Sequence, residues 1–489
     1  MSSENKERKI RNNYMVANFL VALFYVWFYD FLFCNYISDL FGTRYFPMIA
    51  QDRLISFVVG AFPILFYRGL RNVASIFSIF VFIFAYVPFN ETLSFCGYSA
   101  EYNDYRVVFF ISMCVFFLTD NIELWEKPFF SKSLIPYVRF EKVTFLIWAI
   151  VVFLNFRNLH FTNFMENRED LYDLREDLVV VGGTPVVYLI FWLKNVLLPI
   201  LFVVSLQRKE TIKTIVCFVG CMTMYMIDQQ KITFIAPFVI LSLYAVYRMN
   251  EKILRNYYHF FIMFTLVLFS FFCYYYMYES ESMYELAAIM IMRTQCIEGM
   301  ELNTYFDFFG HDGEHPYTFY SHVGLVNLFT NSYPYDTALG RAVTNHGANA
   351  NGMFWLMDGI AADGLFGVVF IGIIFVLVKS FFNGIKYKCD VLLFSIISMF
   401  AMSMTMNVSL FTSMFSCGWI LFYLLFVFVD FRGLLNSEVT GLENSDNEMY
   451  GRSMPSVGWT FGRELSRFGV RGGLSLHYIR HLMKRRIKR

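Results

Sequence analysis

The stretch TPVVYLIFWLKNVLLPILFVVSL, Thr184–Leu206, decides how this chain is organised. It holds 23 residues, of which only Lys194 is charged. A helix that crosses a bilayer needs about 20 consecutive, mainly apolar residues. The rest of the chain has a similar composition, since 57% of its 489 residues are hydrophobic, 20% are aromatic and only 16% are charged. The stretch therefore predicts one membrane-spanning helix of a polytopic membrane protein.

Further apolar runs bring the predicted number of spans to twelve. Because the bilayer core offers no water, a span must satisfy its own backbone hydrogen bonds, and runs of this length do so as helices. The predicted class is therefore all-α, with one integral helical bundle. The other predicted spans are Tyr14–Phe33, Leu54–Phe66, Val73–Val87, Arg106–Leu118, Val143–Phe156, Ile212–Ile227, Ile232–Val246, Tyr258–Tyr276, Leu365–Phe381, Val391–Val408 and Thr412–Val429.

The loops between these spans alternate in charge. Lys and Arg precede the first span and follow every even-numbered one, which assigns those loops and both termini to the cytoplasm by the positive-inside rule. We expect a transmembrane domain over residues 1–431 and a polar, basic cytoplasmic tail over 432–489. The residues that carry this pattern include Arg68, Arg71, Lys127, Lys132, Arg139, Lys142, Arg208, Lys209, Lys213, Arg248, Lys252, Arg255, Lys379, Lys386 and Lys388.

Composition and motifs exclude several classes of function. A formal net charge of +1 is too small to favour nucleic acid as a partner. The nine cysteines include no CxxC pair, so they indicate neither a disulfide framework nor a zinc site. In HDGEH, His311–His315, Gly313 disfavours the helix that would align both histidines on one metal. Since no Walker A or dinucleotide motif is present either, we predict no nucleotide, no metal and no other cofactor.

Two long loops, Arg157–Gly183 and Glu279–Asp363, belong to the outer side. The second has eleven acids, no lysine and two arginines, Arg293 and Arg341. An outer loop has no topological need for arginine, so these two either bind an anion such as phosphate or pair with the acids of the loop. The loop is also rich in Tyr, Phe, Trp and Asn, which suit sugar faces and hydroxyls, or for the aromatics a belt at the lipid headgroups.

Three further cations of the outer side are candidates. Arg168 and Arg175 lie seven residues apart and share a face if the first loop is helical. They either form solvated pairs with neighbouring acids or hold an anionic acceptor lipid. Lys231, beside Asp228 at the outer end of a span, is either functional, paired with Asp228 or extended to the interface.

Four segments in the second half of the chain, taken in order, resemble the oligosaccharide repeat-unit polymerases of bacterial surface-glycan synthesis, the Wzy or O-antigen polymerase family. Relatives often have a small residue and Arg where this chain has Gln and Lys231. The segments are DQQK (Asp228–Lys231), MIMRTQCIEG (Met290–Gly299), YFDFF (Tyr305–Phe309) and HGANANGMFWLMDGIAADGLFG (His346–Gly367).

The resemblance implies a fold of the C-type glycosyltransferase kind at the outer face of the bacterial inner membrane. The donor would be an undecaprenyl-diphosphate glycan, the acceptor a lipid-linked repeat unit, and the partners a chain-length regulator and a flippase. Fixed cations would stabilise the leaving diphosphate, and a histidine or carboxylate would orient or deprotonate the acceptor hydroxyl. The implied residues are Arg293, Lys231 and Arg341 for the diphosphate, His346 as base with Asp307 and Asp358 as fallbacks, and Arg168, Arg175, Asn349, Asn351 and Asp358 for glycan and acceptor.

Three other functions stay open at the level of sequence. An O-antigen ligase-like transferase would share the fold and the donor but use another acceptor. A glycolipid flippase or other transporter predicts internal repeats and ionisable residues within spans, for which Lys194 is the main candidate. A non-catalytic membrane subunit of a glycan machine is the third.

Overall fold

Most of the chain is described by a computed structural model, over residues 3–32, 50–95, 102–124, 133–161, 181, 183–277, 290–291, 294–295, 297–310, 315–344, 350 and 354–435. These residues are mainly helical, which confirms the all-α class. Arg8–Asn436 forms one compact unit, to which the contacts below belong.

The helices follow the predicted spans closely. Several are continued by a short 3₁₀ or π-helical turn, among them Phe62–Phe66, Phe82–Tyr86, Leu193–Leu197 and Asn383–Tyr387. Two strands of two residues, β1 (Ile135–Pro136) and β2 (Val429–Asp430), pair in parallel. The α-helices are α1 Ser3–Leu32, α2 Ala50–Ala61, α3 Val73–Val81, α4 Val87–Phe95, α5 Asn103–Leu118, α6 Tyr137–Leu154, α7 Gly183–Trp192, α8 Leu198–Gln207, α9 Thr211–Asp228, α10 Lys231–Met249, α11 Glu251–Met277, α12 Ile297–Phe309, α13 Gly324–Thr330, α14 Leu339–Val343, α15 Leu356–Phe382, α16 Val391–Thr405, α17 Leu410–Phe415 and α18 Trp419–Phe428.

Eight helical segments among the described residues are long and apolar enough to cross a membrane. The chain is therefore a multi-pass membrane protein. The remaining predicted spans coincide with α2, α5, α6 and α16, which are shorter or more charged, so the number of twelve crossings stays a prediction. The eight segments are Tyr14–Leu32, Val73–Ser94, Gly183–Gln207, Thr211–Asp228, Ile232–Met249, Ile253–Tyr275, Leu356–Tyr387 and Leu410–Phe428.

One end of the helical bundle brings together loops that the charge pattern assigns to the cytoplasm. The backbone N–H of Leu70 donates to the carbonyl of Arg255 at 3.1 Å, and the Arg255 guanidinium lies 2.6 Å from Asp390 Oδ2. Asn383 Nδ2 donates to the carbonyl of Asp120 at 2.8 Å. The loops after the predicted spans therefore meet at one end of the bundle, which we call the basic end. They are the loops that follow Leu54–Phe66, Arg106–Leu118, Ile232–Val246 and Leu365–Phe381.

A buried ion pair ties three helices together near the basic end. Lys379 Nζ, on α15, lies 2.7 Å from Asp120 Oδ1 and 3.0 Å from Ser78 Oγ, and it also donates to the carbonyl of Phe116. The Lys379 side chain is 0% exposed. Since a buried charge is costly unless it is paired and hydrogen-bonded, these contacts require α15 to lie beside α3 and α5.

Helix α15 consists of two segments that fold back on each other. Non-helical backbone at Asp363 and Gly364, where φ of Gly364 is 55°, separates Leu356–Ala362 from the longer part that begins at Leu365. A residue with a side chain would be strained at that positive φ, which glycine adopts readily.

Two glycines allow the segments to cross backbone to backbone. A Cβ placed on Gly359 would lie 2.5 Å from Val368 Cα, and a Cβ on Gly367 would lie 2.1 Å from the carbonyl oxygen of Gly359. These separations are far below a van der Waals contact, so only glycine fits at either position.

The residues Phe354–Ala362, which we call the inserted segment, reach deep into the bundle. The rings of Phe354 and Phe375 are 4.6 Å apart, and those of Trp355 and Phe116 are 5.0 Å apart. Phe375 lies about 15 Å along its helix from Leu365, at 1.5 Å per residue. The last part of the predicted external loop therefore lies inside the bundle, where surrounding protein satisfies its non-helical backbone.

We expect Lys379→Ala to lower the thermal stability of the protein strongly, because it leaves the Asp120 carboxylate buried without its cation. Breaking a buried pair costs about 3–5 kcal/mol, which thermal unfolding in detergent measures. The matched control is Lys386→Ala, since Lys386 and its partner Glu123 are both partly exposed and exposed pairs contribute about 0–1 kcal/mol. Equal losses in the two variants would contradict the role of the buried pair.

Gly359→Ala and Gly367→Ala are each expected to destabilise the protein, because the added methyl group overlaps backbone atoms that cannot move aside. Overpacking of this kind costs about 1–3 kcal/mol or more. Gly372→Ala on the same helix is the control, since its Cβ would meet nothing closer than 3.6 Å. If all three variants melted at the same temperature, the glycine crossing would be refuted.

Candidate functional site

A short contact between His322 and Asp358 forms the centre of a polar cluster at the end of the bundle away from the basic end. His322 Nε2 lies 2.6 Å from Asp358 Oδ1, and Thr318 Oγ1 lies 2.7 Å from His322 Nδ1. The other carboxylate oxygen, Asp358 Oδ2, accepts the backbone N–H of Leu410 at 3.2 Å. Both side chains of the pair are buried. We call this group the His322–Asp358 cluster.

Local sequence explains how each partner is held. Asp358 lies in the first turn of α15, where a carboxylate is favoured by the helix dipole. The turn that carries His322 docks on the folded α15, because Phe319 N donates to the carbonyl of Ala362 at 2.9 Å and Tyr320 Oη donates to that of Gly367 at 2.8 Å.

The backbone of this turn is strained. Phe319 and Tyr320 have φ values of 45° and 64°, a left-handed conformation that costs a residue with a side chain about 1–2 kcal/mol. The strain is tolerated because the contacts with α15 hold both residues.

The chemistry of the cluster follows from its hydrogen bonds. Both ring nitrogens of His322 are occupied, one by Thr318 and one by Asp358. An imidazole held in this way keeps a fixed orientation and shares a proton with its neighbours, but it presents no free nitrogen to a substrate. The arrangement therefore suits positioning of the loop above α15 rather than direct proton abstraction.

A second contact joins the helices that carry other candidate residues. Tyr305 Oη, on α12, donates to the carbonyl of Ala350 at 3.1 Å, and Ala350 N donates to the carbonyl of Gly340, on α14, at 3.2 Å. Burial raises the pKa of the Tyr305 phenol well above its ordinary value, so it remains a donor. Ala350 is thus fixed to the two helices that carry Asp307 and Arg341.

The side chains of three predicted site residues are described by the structure, and those of the others are not. Asp307 is exposed on α12, Arg341 is exposed on α14, and Asp358 is buried in the cluster just described. Lys231 begins α10, and its side chain lies outside the described part of the chain. The remaining candidates also lie outside the described residues: Arg168, Arg175, Arg293, His346, Asn349 and Asn351.

The elements that carry several of these candidates nevertheless meet. Asn349 and Asn351 flank Ala350, which is bonded to α12 and α14. Helix α12 also packs against α15, which carries Asp358. Of the predicted residues, the structure brings together the helices that carry Asp307, Arg341 and Asp358.

A separate polar centre surrounds Lys194. Its Nζ lies 2.5 Å from Asp228 Oδ2 and 2.7 Å from Gln230 Oε1, and Thr233 Oγ1 donates to Asp228 Oδ2 at 2.9 Å. Lys194 lies on the π-helical turn before Pro199, where proline removes a backbone donor from the helix. A pairing of Lys231 with Asp228 was one of three alternatives in the sequence analysis, and the structure shows that Asp228 pairs with Lys194.

A small cavity adjoins this centre. Among the described residues, the buried amide nitrogen of Asn195 has no hydrogen-bond partner. The cavity is lined by Lys194, Asn195, Cys221, Ile232, Thr233, Ala236, Phe400, Ser403 and Met404.

Sequence reasoning named Asp358 but missed its partner. His322 appears in the sequence only as one of four histidines of the loop, and it lies 36 residues from Asp358. The available signal was the spacing of Thr318 and His322, four residues apart, in a stretch without charged residues. That signal does not identify a partner, because the contact depends on how α15 folds back.

The possible metal motif HDGEH is only partly visible. His311–Glu314 lie outside the described residues, and the ring of His315 stacks on that of Phe308 at 3.7 Å. Across the described ranges, no group of three or more His, Cys, Asp or Glu side chains is placed to hold a metal ion.

Comparison of the chain with protein families, with curated proteins and with solved structures gives no match.

Proposed function

We propose that this chain is a glycosyltransferase of the inner membrane that polymerises undecaprenyl-diphosphate-linked oligosaccharide repeat units into a surface polysaccharide, of the O-antigen (lipopolysaccharide) or capsule type. The observation that carries the proposal is the meeting of α12, α14 and α15 at the end away from the basic end. These helices bear Asp307, Arg341 and Asp358, and Ala350 between Asn349 and Asn351 is bonded to two of them.

The proposed reaction needs neither a nucleotide nor a metal. The acceptor hydroxyl attacks the anomeric carbon of the donor, the bond to the diphosphate oxygen breaks, and undecaprenyl diphosphate leaves. Arg293, Lys231 and Arg341 stabilise the charge that grows on the diphosphate. His346 takes the proton of the hydroxyl, with Asp307 as the alternative base.

In this proposal the remaining polar residues bind or position. Asn349 and Asn351 contact the glycan, and Arg168 and Arg175 hold the anionic acceptor lipid. Asp358 acts through His322 as a positioning residue, because its oxygens are already bonded within the protein. A flippase supplies the substrate, and a chain-length regulator limits the product.

One observation favours the alternative of a glycolipid transporter. Lys194 and Asp228 form a buried ion pair inside apolar helices, and intramembrane charges mark transport pathways in many proteins. The charges of this pair are, however, neutralised by each other and by hydrogen bonds to Gln230 and Thr233. The transporter alternative also gives no role to the meeting of α12, α14 and α15. A ligase-like transferase would use the same elements with a different acceptor.

The test is polymerisation by the purified protein in liposomes, with lipid-linked repeat units as the sole substrate. We expect a ladder of polymer on a gel without nucleotide or added metal. Substrate that crosses the bilayer without a ladder would replace the proposal by the transporter. In a parallel reaction that also contains a lipid-A core acceptor, transfer of the glycan to that acceptor, with no ladder in either reaction, would replace the proposal by the ligase-like enzyme.

In this assay Arg293→Ala and Arg341→Ala are expected to reduce the rate about 10²-fold or more, because removing one fixed stabiliser of transition-state charge costs about 10²–10³. Arg432→Ala is the control, since Arg432 pairs with Asp430 on the surface after α18. A near-normal ladder from Arg293→Ala would remove that residue from the diphosphate site.

The two histidines are expected to behave differently. His346→Ala should abolish the ladder while the melting temperature stays unchanged, as for a base. His322→Ala should lower both the yield of polymer and the melting temperature, because it leaves Asp358 buried without its partner. A double-mutant cycle of His322→Ala and Asp358→Ala, read as the free energy of unfolding, should show coupling of about 1.5–3 kcal/mol. Additive effects of the two substitutions would contradict the positioning role of His322.

A further inference from the structure

Helix α13, Gly324–Thr330, presents an apolar face that no other described element covers. Leu328 is 75% exposed and Phe329 is 82% exposed, and Leu325 is exposed beside them. The spacing of these residues, i, i+3 and i+4, places them on one face of the helix. An exposed apolar face on a soluble loop is unfavourable, so this face indicates an apolar environment.

The neighbouring helix shows which environment that is. Along α15, five exposed apolar residues recur at helical spacing, as expected of a helix face turned to lipid. The first of them, Phe366, is 79% exposed at the end of the helix near the His322–Asp358 cluster. The five residues are Phe366, Val369, Phe370, Ile373 and Leu377.

The two apolar surfaces are joined through the turn before α13. Phe319 is exposed, and its backbone N–H is bonded to the carbonyl of Ala362, four residues before Phe366. Helix α13 begins two residues after His322, which is held by Asp358. The turn from which α13 starts is therefore fixed at the end of α15 where the lipid-facing stripe begins.

The sequence around α13 supports the same environment. No Asp, Glu, Lys or Arg occurs between Glu314 and Asp336, although the predicted outer loop as a whole contains eleven acids. Tyr317, Tyr333 and Tyr335 flank the helix, and tyrosine favours the headgroup level of a membrane.

We propose that α13 is an interfacial helix that lies in the outer leaflet of the membrane, with Leu325, Leu328 and Phe329 among the acyl chains of phospholipids. The occupant of this face is the bilayer, because the turn before α13 is bonded to the end of α15 where the lipid-facing stripe begins and the surrounding sequence carries no charged residue. The inference is independent of the reaction proposed above. Its consequence is that the loop carrying His322 is anchored at the membrane surface rather than extending away from it.

The test places a photoreactive residue, p-benzoyl-phenylalanine, at position 328 or 329 of the full chain. The protein is reconstituted in liposomes of phosphatidylethanolamine and phosphatidylglycerol and irradiated, and its mass is then measured by intact mass spectrometry. We expect a mass increase of one phospholipid at both positions. Position 370, on the stripe of α15, is the positive control, and position 336, an exposed aspartate beyond α13, is the negative control.

Two results would overturn the proposal. A phospholipid adduct at position 370 without one at 328 and 329 would show that α13 lies in water. A cross-linked dimer of the chain in place of the lipid adduct would show that a second copy covers the face. Because both substituted side chains are exposed, the variants are expected to fold like the parent protein, and an unchanged melting temperature checks this.

Discussion

The backbone contact between Gly359 and Gly367 is the constraint on which the end of the bundle away from the basic end depends. A side chain at either position would overlap main-chain atoms, so α15 can fold back only because both residues are glycine. The fold-back takes the inserted segment down to Phe375 and Phe116. It also brings Asp358 to the loop that carries His322, and it provides the carbonyls of Ala362 and Gly367 on which that loop docks.

Buried charges specify which helices are neighbours elsewhere in the bundle. Lys379 needs Asp120 beside it, and Lys194 needs Asp228. An unpaired ion in an apolar interior loses its solvation by water, and contacts with apolar side chains do not compensate for that loss. The first pair links parts of the chain that are 259 residues apart, and the second joins two consecutive helical segments. An arrangement that separated either pair would leave a buried charge without its partner, so both pairs favour the observed packing.

Three segments near the start of α15 determine where the loop before it lies. The inserted segment is packed inside the bundle, the turn at Phe319 and Tyr320 is bonded to the folded α15, and α13 extends from that turn with its apolar face uncovered. Elements anchored in this way keep polar residues at a constant height relative to the helices. The reacting group of a lipid-linked molecule is near the headgroups. For chemistry on such a molecule, polar residues must therefore be held at that distance from the membrane centre.

The long apolar helices, their order and the end at which the basic loops meet could be predicted from the sequence. Predicted spans such as Ile212–Ile227 and Leu365–Phe381 agree with the helices of the structure within a few residues, because hydrophobicity and backbone hydrogen bonding act locally. It also identified Asp358 as a candidate. The pairing of Asp358 with His322, the pairing of Asp228 with Lys194 and the entry of Phe354–Ala362 into the bundle became visible only in the folded protein. These contacts join residues far apart in the chain, and they form because packing glycine against glycine and neutralising buried charge are properties of the assembled helices.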